Sequence, residues 1–97
     1  TFHTPNSFEY QLNGNVSFVK KLPPVFRKHE GQMVKLEFEI TPSNNLKSIN
    51  WFKNEMLIRN SPDTRLISNF GMHSLIIPEV FNEDSGLYKA VILTTNG

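Results

Sequence analysis

The sequence predicts an all-β domain, built as a two-sheet sandwich or a small barrel, and three observations lead to that fold class. Residues 34–40 alternate strictly between apolar and charged side chains, which is the period-two pattern of a half-buried strand. Several further short runs of this kind are separated by turn-forming residues, and no stretch has a helical period. The chain has 97 residues, eight Phe, 38% hydrophobic residues and a formal net charge of +1. This composition is expected of one folded domain.

The same alternation predicts the other strands in order. Residues 49–53 place Trp51 on one face and Phe52 on the other, and residues 56–59 form a short further strand. Residues 34–40 turn one face inward. That inward face consists of Val34, Leu36, Phe38 and Ile40.

The second half of the chain continues the pattern. Residues 65–68 and 74–77 are predicted strands joined by a turn at 69–71, and Leu75 faces the core. Pro78 ends the second of these strands, because proline has no amide hydrogen to donate. Residues 87–95 alternate again. One face of that strand carries Tyr88, Ala90 and Ile92, and the other carries Lys89, Val91 and Leu93.

Two landmarks carry a family resemblance. Trp51 follows the inward Phe38 by about a dozen residues, and Asp84-Ser85-Gly86-Leu87-Tyr88 matches the pattern D-x-G-x-Y that precedes the sixth strand of immunoglobulin domains. Together with Glu30-Gly31, Trp51-Phe52-Lys53-Asn54 and Ser74-Leu75-Ile76-Ile77, these motifs resemble the intermediate-set (I-set) immunoglobulin modules repeated in muscle proteins such as titin, twitchin and stretchin. The resemblance covers roughly residues 17–97.

The resemblance implies an immunoglobulin-like two-sheet β-sandwich with defined structural roles. Tyr88 would return its hydroxyl to nearby backbone, Gly86 would permit a tight bend, and Asp84 would pair with Arg65. The structural residues implied are Phe38, Trp51, Leu75, Asp84, Gly86, Tyr88 and Ala90.

The absence of cysteine bears on both packing and compartment. Family members with an inter-sheet disulfide have Cys at the positions of Phe38 and Ala90, whereas this chain has none. A large residue facing a small one conserves volume approximately, so packing could replace a cross-link worth about 2–4 kcal/mol. A small domain without disulfides favours a reducing, intracellular compartment.

The two ends leave the domain boundary open. We expect the domain at residues 17–97 and a linker, or the end of a preceding repeat, at residues 1–16. Asn96-Gly97 is a hairpin signal, so a further strand is expected and the edge of residues 87–95 needs a cover. The candidates are residues beyond Gly97, which we favour, a strand of another chain, or the alternating segment Phe8 to Leu12 from this chain or another copy.

No pattern in the chain indicates an enzyme, a cofactor or a metal site. His3, His29 and His73 lack the close spacing of zinc ligands, and Ser85 has no paired base. A glycine-rich phosphate loop and a membrane-spanning apolar run are both missing from the sequence. The small net charge makes nucleic acid an unexpected partner.

Two groups of residues are candidates for binding a protein. The basic group is either a solvated edge or a contact for an acidic partner. The apolar group faces away from the core, so it is either a binding surface or an area that the missing strand or a neighbouring domain covers. The basic residues are Lys20, Lys21, Arg27 and Lys28, and the apolar ones are Phe52, Val91 and Leu93.

The resemblance implies a non-catalytic structural and protein-binding module of a large sarcomeric, thick-filament-associated muscle protein. Its expected partners are myosin or actin filaments or neighbouring immunoglobulin modules. The alternative is a cell-surface adhesion or receptor module that lacks its disulfide.

Overall fold

The structure is a two-layer sandwich of β-strands. It is a computed structural model that describes residues 6–14, 16–22, 25–26, 30–41 and 46–94. Within these ranges the strands are β1 (Asn6–Asn13), β2 (Ser17–Lys20), β3 (Val25–Phe26), β4 (Val34–Thr41), β5 (Leu46–Lys53), β6 (Met56–Leu57), β7 (Arg65–Asn69), β8 (Met72–Ile77) and β9 (Leu87–Thr94). The predicted all-β sandwich is confirmed.

The strands divide into a five-stranded and a four-stranded sheet. The spatial order is β3-β1-β9-β5-β6 in the first sheet and β2-β4-β8-β7 in the second. The pairings are antiparallel except that β1 runs parallel to β9. A short 3-10 turn, Asn82–Asp84, precedes β9.

The core lies between the sheets and is built mainly from alternate residues of the long strands. In β4 and β9 the burial alternates residue by residue, as the sequence pattern predicts. Rings from both sheets meet in the middle, where the Phe38 centroid is 5.5 Å from that of Trp51. The buried hydrophobic residues are Phe8, Val34, Leu36, Phe38, Ile40, Trp51, Leu75, Ile77, Val80, Tyr88, Ala90 and Ile92.

The amino-terminal segment differs from the expectation of a linker or the end of a preceding repeat. Residues 6–13 form a strand of this sandwich, and seven of them pair with β9 from Ser7↔Leu87 to Asn13↔Leu93. Phe8 is 4% exposed and belongs to the core. The edge of β9 that we expected to be covered from beyond Gly97 therefore carries β1 on one side, with β5 on the other.

Strand lengths also differ in places. The short strand predicted at 56–59 is two residues long, Met56–Leu57. The first strand expected after residue 16 is β2, and a separate two-residue strand, β3, pairs with β1. Residues 95–97, which contain the Asn-Gly hairpin signal, lie outside the described residues.

Candidate protein-binding surface

The predicted apolar surface lies on the outer face of the five-stranded sheet. In β9 the residues Val91 and Leu93 alternate with buried neighbours and are themselves half-buried, as is Phe52 in β5. Phe52 pairs across the strands with Lys89, and Val91 pairs with Asn50. The three apolar side chains therefore point away from the core, as the period of the strands requires.

A lysine that we did not single out from the sequence lies at this surface. The Lys89 ammonium is 5.5 Å from the centroid of the Phe52 ring, a distance at which the ring face attracts a cation. Both carboxylate oxygens of Glu55 accept hydrogen bonds from Nζ at 3.0 Å. The lysine side chain is only 14% exposed, so its position is fixed. Lys89 could have been identified from the sequence, because the period of the strand places it on the same face of β9 as Val91.

Polar side chains frame the apolar residues. Val91 lies in register between Gln11 of β1 and Asn50 of β5, and Leu93 lies between Asn13 and Ser48. On the far side of Phe52, β6 supplies Leu57, which is 45% exposed. The outer face thus has a discontinuous apolar centre with hydrogen-bonding groups around it.

The predicted basic group is already engaged within the domain. Lys20 Nζ lies 3.0 Å from Glu37 Oε1. Lys21 Nζ lies 5.2 Å from the Phe18 ring centroid and 5.7 Å from that of Tyr10. Arg27 and Lys28 fall outside the described residues. The two described lysines therefore have intramolecular partners and do not form a free cationic cluster.

Glu37 is the centre of a polar network on the outer face of the four-stranded sheet. Its Oε2 accepts a hydrogen bond from the Ser74 hydroxyl at 2.8 Å, and Lys35 Nζ lies 3.2 Å from the same oxygen. Ser74, Lys20 and Lys35, in that order, lower the pKa of Glu37 to about 2. The carboxylate therefore stays ionised at neutral pH and acts as a structural anion.

Five of the seven residues expected to be structural lie in the interior, whereas Asp84 and Gly86 are only partly buried, in the turn before β9. Phe38, Leu75 and Ala90 are 0% exposed, and Trp51 and Tyr88 are nearly as buried. Trp51 pairs in register with Ala90. An aromatic cluster therefore fills the interior around the position where disulfide-bearing relatives would have their cross-link.

The turn before β9 is held by hydrogen bonds rather than by an ion pair. The Tyr88 hydroxyl donates to the backbone carbonyl of Asp84, and burial, followed by the Asp84 charge, raises the pKa of Tyr88. The Asp84 carboxylate accepts the Phe81 N–H at 2.8 Å. The structure has no ion pair between the described residues Arg65 and Asp84, so the implied pairing does not form. The carboxylate instead caps the 3-10 turn.

Gly86 is required by a close approach as well as by its backbone angle. Its φ is +156°, and a Cβ placed there would lie 2.8 Å from the side-chain amide of Asn54. That amide oxygen accepts the Leu87 N–H at 3.0 Å. Asn54 and Glu55 form the tight β5–β6 turn, and both have positive φ. The Asn54 side chain of this turn lies directly against Gly86.

The groups that could support other chemistry are scattered, and two buried atoms among them, His73 Nε2 and Ser85 Oγ, have no hydrogen-bond partner among the described residues. His73 is 2% exposed with its Nδ1 2.9 Å from the Ser68 hydroxyl, and burial lowers its pKa. Among the described residues, no group of three or more His, Asp or Glu side chains could hold a metal ion. In that same part of the chain, helices of the length and apolar character needed to cross a membrane are absent.

One exposed aromatic residue was missed. Phe70 lies at the tip of the β7–β8 hairpin, is 90% exposed, and has a φ of +48°. Residues 69–71 were correctly predicted as a turn, but the sequence does not say which way the ring points. Nothing in the described residues covers this ring, so its removal should cost little stability.

Comparison with protein families gives one match over most of the chain. Residues 16–97 match the model of the immunoglobulin I-set domain. The chain is 34% identical over 80 residues to titin of Drosophila melanogaster and 42% identical over 77 residues to a titin homolog of Caenorhabditis elegans. These alignments cover 82% and 77% of the chain but, to the nearest per cent, 0% of either relative. Human palladin is 30% identical over 101 residues, covering 89% of this chain and 7% of palladin.

Solved structures agree in architecture. A fragment of three titin immunoglobulin domains superimposes with a TM-score of 0.66 at 25% identity, covering 81% of this chain and 32% of the fragment. A crystal structure of one titin domain gives a TM-score of 0.61 at 18% identity, covering 84% of this chain and 96% of that domain.

Proposed function

Since this chain belongs to the immunoglobulin I-set family, we propose that it is a non-catalytic structural and protein-binding module of a large intracellular muscle protein. The similarity to titin and palladin supports this assignment, as does a cysteine-free core. The module is proposed to associate with the thick filament of the sarcomere. The chain spans 7% or less of the length of these relatives.

The observation that carries the proposal is the outer face of β5 and β9. Phe52 lies beneath the Lys89 ammonium, and Val91 and Leu93 lie between polar neighbours on both sides. An apolar centre with a polar surround is the anatomy of a protein-binding surface, and aromatic residues often dominate such contacts. We therefore place the partner on this sheet.

The basic group offers less free positive charge to a binding partner than we expected from the sequence. Lys20 is neutralised by Glu37, and Lys21 lies over two aromatic rings. Lys89 is paired in the same way, with Glu55, so the proposed contact depends on the apolar residues beside it rather than on a free positive charge. A partner with an apolar contact surface fits this arrangement, and filament-forming myosin is the partner that we propose.

The test is cosedimentation of the isolated module with myosin filaments, and separately with actin filaments. Asn50→Glu places a negative charge beside Val91, at an exposed position where stability should change little. We expect it to weaken binding by about tenfold or more, because a charge forced into a desolvated contact is costly. Thr41→Glu is the matched control, since it makes the same charge change at an exposed position on the other sheet.

The possible outcomes test the proposed surface and the proposed partner independently. Equal binding by the Asn50→Glu and Thr41→Glu variants would contradict the proposed surface. Failure of the unmodified module to sediment with myosin filaments would contradict the thick-filament assignment, and sedimentation with actin alone would move the module to that filament.

A further inference from the structure

Asn13 is followed by Gly14 at the end of β1, and this pair of residues can react with itself. The side-chain amide carbon of an asparagine is an electrophile, and the backbone nitrogen of the next residue can close a succinimide ring on it. A side chain on that next residue hinders the approach, whereas glycine has no Cβ. Among the residues that the structure describes, Asn13 is the only asparagine that precedes a glycine. Ring closure is therefore favoured most at this position.

The sheet leaves both reacting groups available. The Asn13 side chain is exposed. Its backbone carbonyl accepts a hydrogen bond from the Thr94 hydroxyl at 3.2 Å, and in a trans peptide the following N–H points to the opposite side. The Gly14 N–H therefore points away from β9. On that side β1 pairs with β3 only at Asn6 and Ser7, so the strand ladder does not engage the attacking nitrogen.

Two other described asparagines are held in place by their side chains. Asn54 Oδ1 accepts the Leu87 N–H at 3.0 Å, and Asn60 Oδ1 accepts the Leu66 N–H at 3.1 Å. Turning either amide towards its own backbone would break that hydrogen bond. Each is also followed by a residue that has a Cβ. These two positions therefore serve as internal comparisons for Asn13.

From these observations we infer that Asn13 is a modification site, at which a succinimide forms spontaneously in the folded protein and is hydrolysed to aspartate or isoaspartate. The Gly14 nitrogen gives its proton to solvent and bonds to Asn13 Cγ. The bond from Cγ to the side-chain nitrogen breaks, and that nitrogen takes a proton from water and leaves as ammonia. Water then opens the ring. Breaking the bond from the ring nitrogen to Cγ leaves aspartate, whereas breaking its bond to the backbone carbonyl carbon leaves isoaspartate. Water is the only co-reactant, and no oxidation or reduction occurs.

Both products change the end of β1. Each replaces a neutral amide with a carboxylate, and because Asn13 pairs in register with Leu93, the new charge lies at the end of the apolar outer face. Isoaspartate also adds a methylene group to the main chain between Leu12 and Gly14. The longer main chain does not fit the register of β1 with β9, so the modified protein should be less stable. This consequence does not depend on which partner binds the outer face.

Peptide mapping by mass spectrometry locates the modification. The folded protein is incubated in mildly alkaline buffer and sampled over time, with fragmentation that distinguishes aspartate from isoaspartate. We expect Asn13 to lose its amide at least about tenfold faster than Asn60, which corresponds to a barrier lower by about 1.4 kcal/mol. The rate should rise with pH, because the attacking nitrogen reacts after losing its proton. A folded protein in which Asn13 reacts no faster than Asn60, or reacts only when urea is added, would overturn the inference.

Asn13→Gln is the matched variant, because it keeps the amide but would have to close a larger and less favourable ring. Both proteins are aged in the same buffer and then unfolded with urea. The unfolding midpoint of the unmodified sequence should fall as the converted fraction rises, and that of Asn13→Gln should fall less, since only reactions elsewhere, such as at Asn96-Gly97, remain to it. Equal losses in the two proteins would overturn the effect on β1. The peptide map of the unmodified sequence decides the site even if Asn13→Gln fails to fold.

Discussion

Replacing Phe38 by alanine tests the packing at the centre of the sandwich. The side chain is 0% exposed, and its ring centroid lies within 6.1 Å of those of four other rings, Tyr10, Phe18, Trp51 and His73. Phe38→Ala removes a ring that both sheets contact, and the surrounding rings are too rigid to close the space fully. The loss therefore includes both the burial of the ring and a cavity.

The expected cost is about 3–5 kcal/mol, the usual range for a buried phenylalanine. A domain of this size has a total stability of about 5–15 kcal/mol, so the variant should be close to unfolding at the low end. Urea unfolding followed by Trp51 fluorescence and circular dichroism measures the change. Phe38→Leu, with an expected cost of about 1–1.5 kcal/mol, keeps the test informative if the alanine variant does not fold.

The matched control is Phe70→Ala, which removes the same side chain where it is 90% exposed. We expect a change within about 0.5 kcal/mol. A loss below about 1 kcal/mol for Phe38→Ala, with an unchanged dependence on urea concentration, would refute the placement of this ring in the core.

Four further predictions concern hydrogen bonds, pH and turns. Tyr88→Phe should lower stability by about 1–2 kcal/mol without weakening partner binding by the folded protein, and a folded variant that no longer binds would contradict its architectural role. Burial lowers the pKa of His73, so the unfolded chain binds a proton at this residue more readily than the folded protein does. The free energy of unfolding should therefore fall as the pH drops below 6.5, the ordinary pKa of histidine. Urea melts at pH values above and below 6.5 should show a larger change of stability with pH in the unmodified protein than in His73→Gln. Glu37 affects stability at lower pH, because its lowered pKa stabilises the fold above pH 4.5 and this stabilisation is lost as the pH falls towards about 2. A free energy of unfolding that does not change across this pH range would contradict the prediction. Phe70→Asn should raise stability by about 0.5–1 kcal/mol, since asparagine tolerates positive φ in a two-residue hairpin turn, and a destabilised variant would show that the exposed ring makes contacts that the structure lacks.

The local alternation of the strands explains what sequence analysis could predict. A strand's period fixes which side chains share a face, and this is why Trp51 was placed inward and Phe52 outward without knowledge of the strand's neighbours. Val91 and Leu93 were placed on the outer face for the same reason. The turn residues Gly86 and Asp84 were identified from the resemblance to a family motif, whereas the close approach of Asn54 to Gly86 is a contact between distant residues.

The parts that were not predicted depend on contacts between distant residues. The partner of Lys20 is Glu37 because β2 pairs with β4 through a register shift between Phe18 and Lys20, and no local pattern specifies such a shift. We expected Asp84 to pair with Arg65, whereas its carboxylate accepts a hydrogen bond from the Phe81 N–H, three residues earlier in the chain. A side chain that can bond within its own turn does so at little entropic cost.

The role of residues 6–13 shows the same limit most clearly. Their alternation identified a possible strand, but β1 pairs with residues about 80 positions away in sequence. The bond from the Thr94 hydroxyl to the Asn13 carbonyl, at 3.2 Å, joins the ends of that pairing. Alternation establishes that a strand can form, whereas its partner and its parallel direction depend on the assembled sheet.

The most direct test of the proposed function is a map of the bound surface. Backbone amide chemical shifts of the isotopically labelled module would be followed by NMR during titration with a soluble myosin rod fragment. We expect the shifts to change along β5 and β9, around Asn50, Lys89, Val91 and Leu93, and to remain constant at the β7–β8 hairpin. Changes confined to the hairpin around Phe70, or no changes at saturating rod fragment, would contradict it.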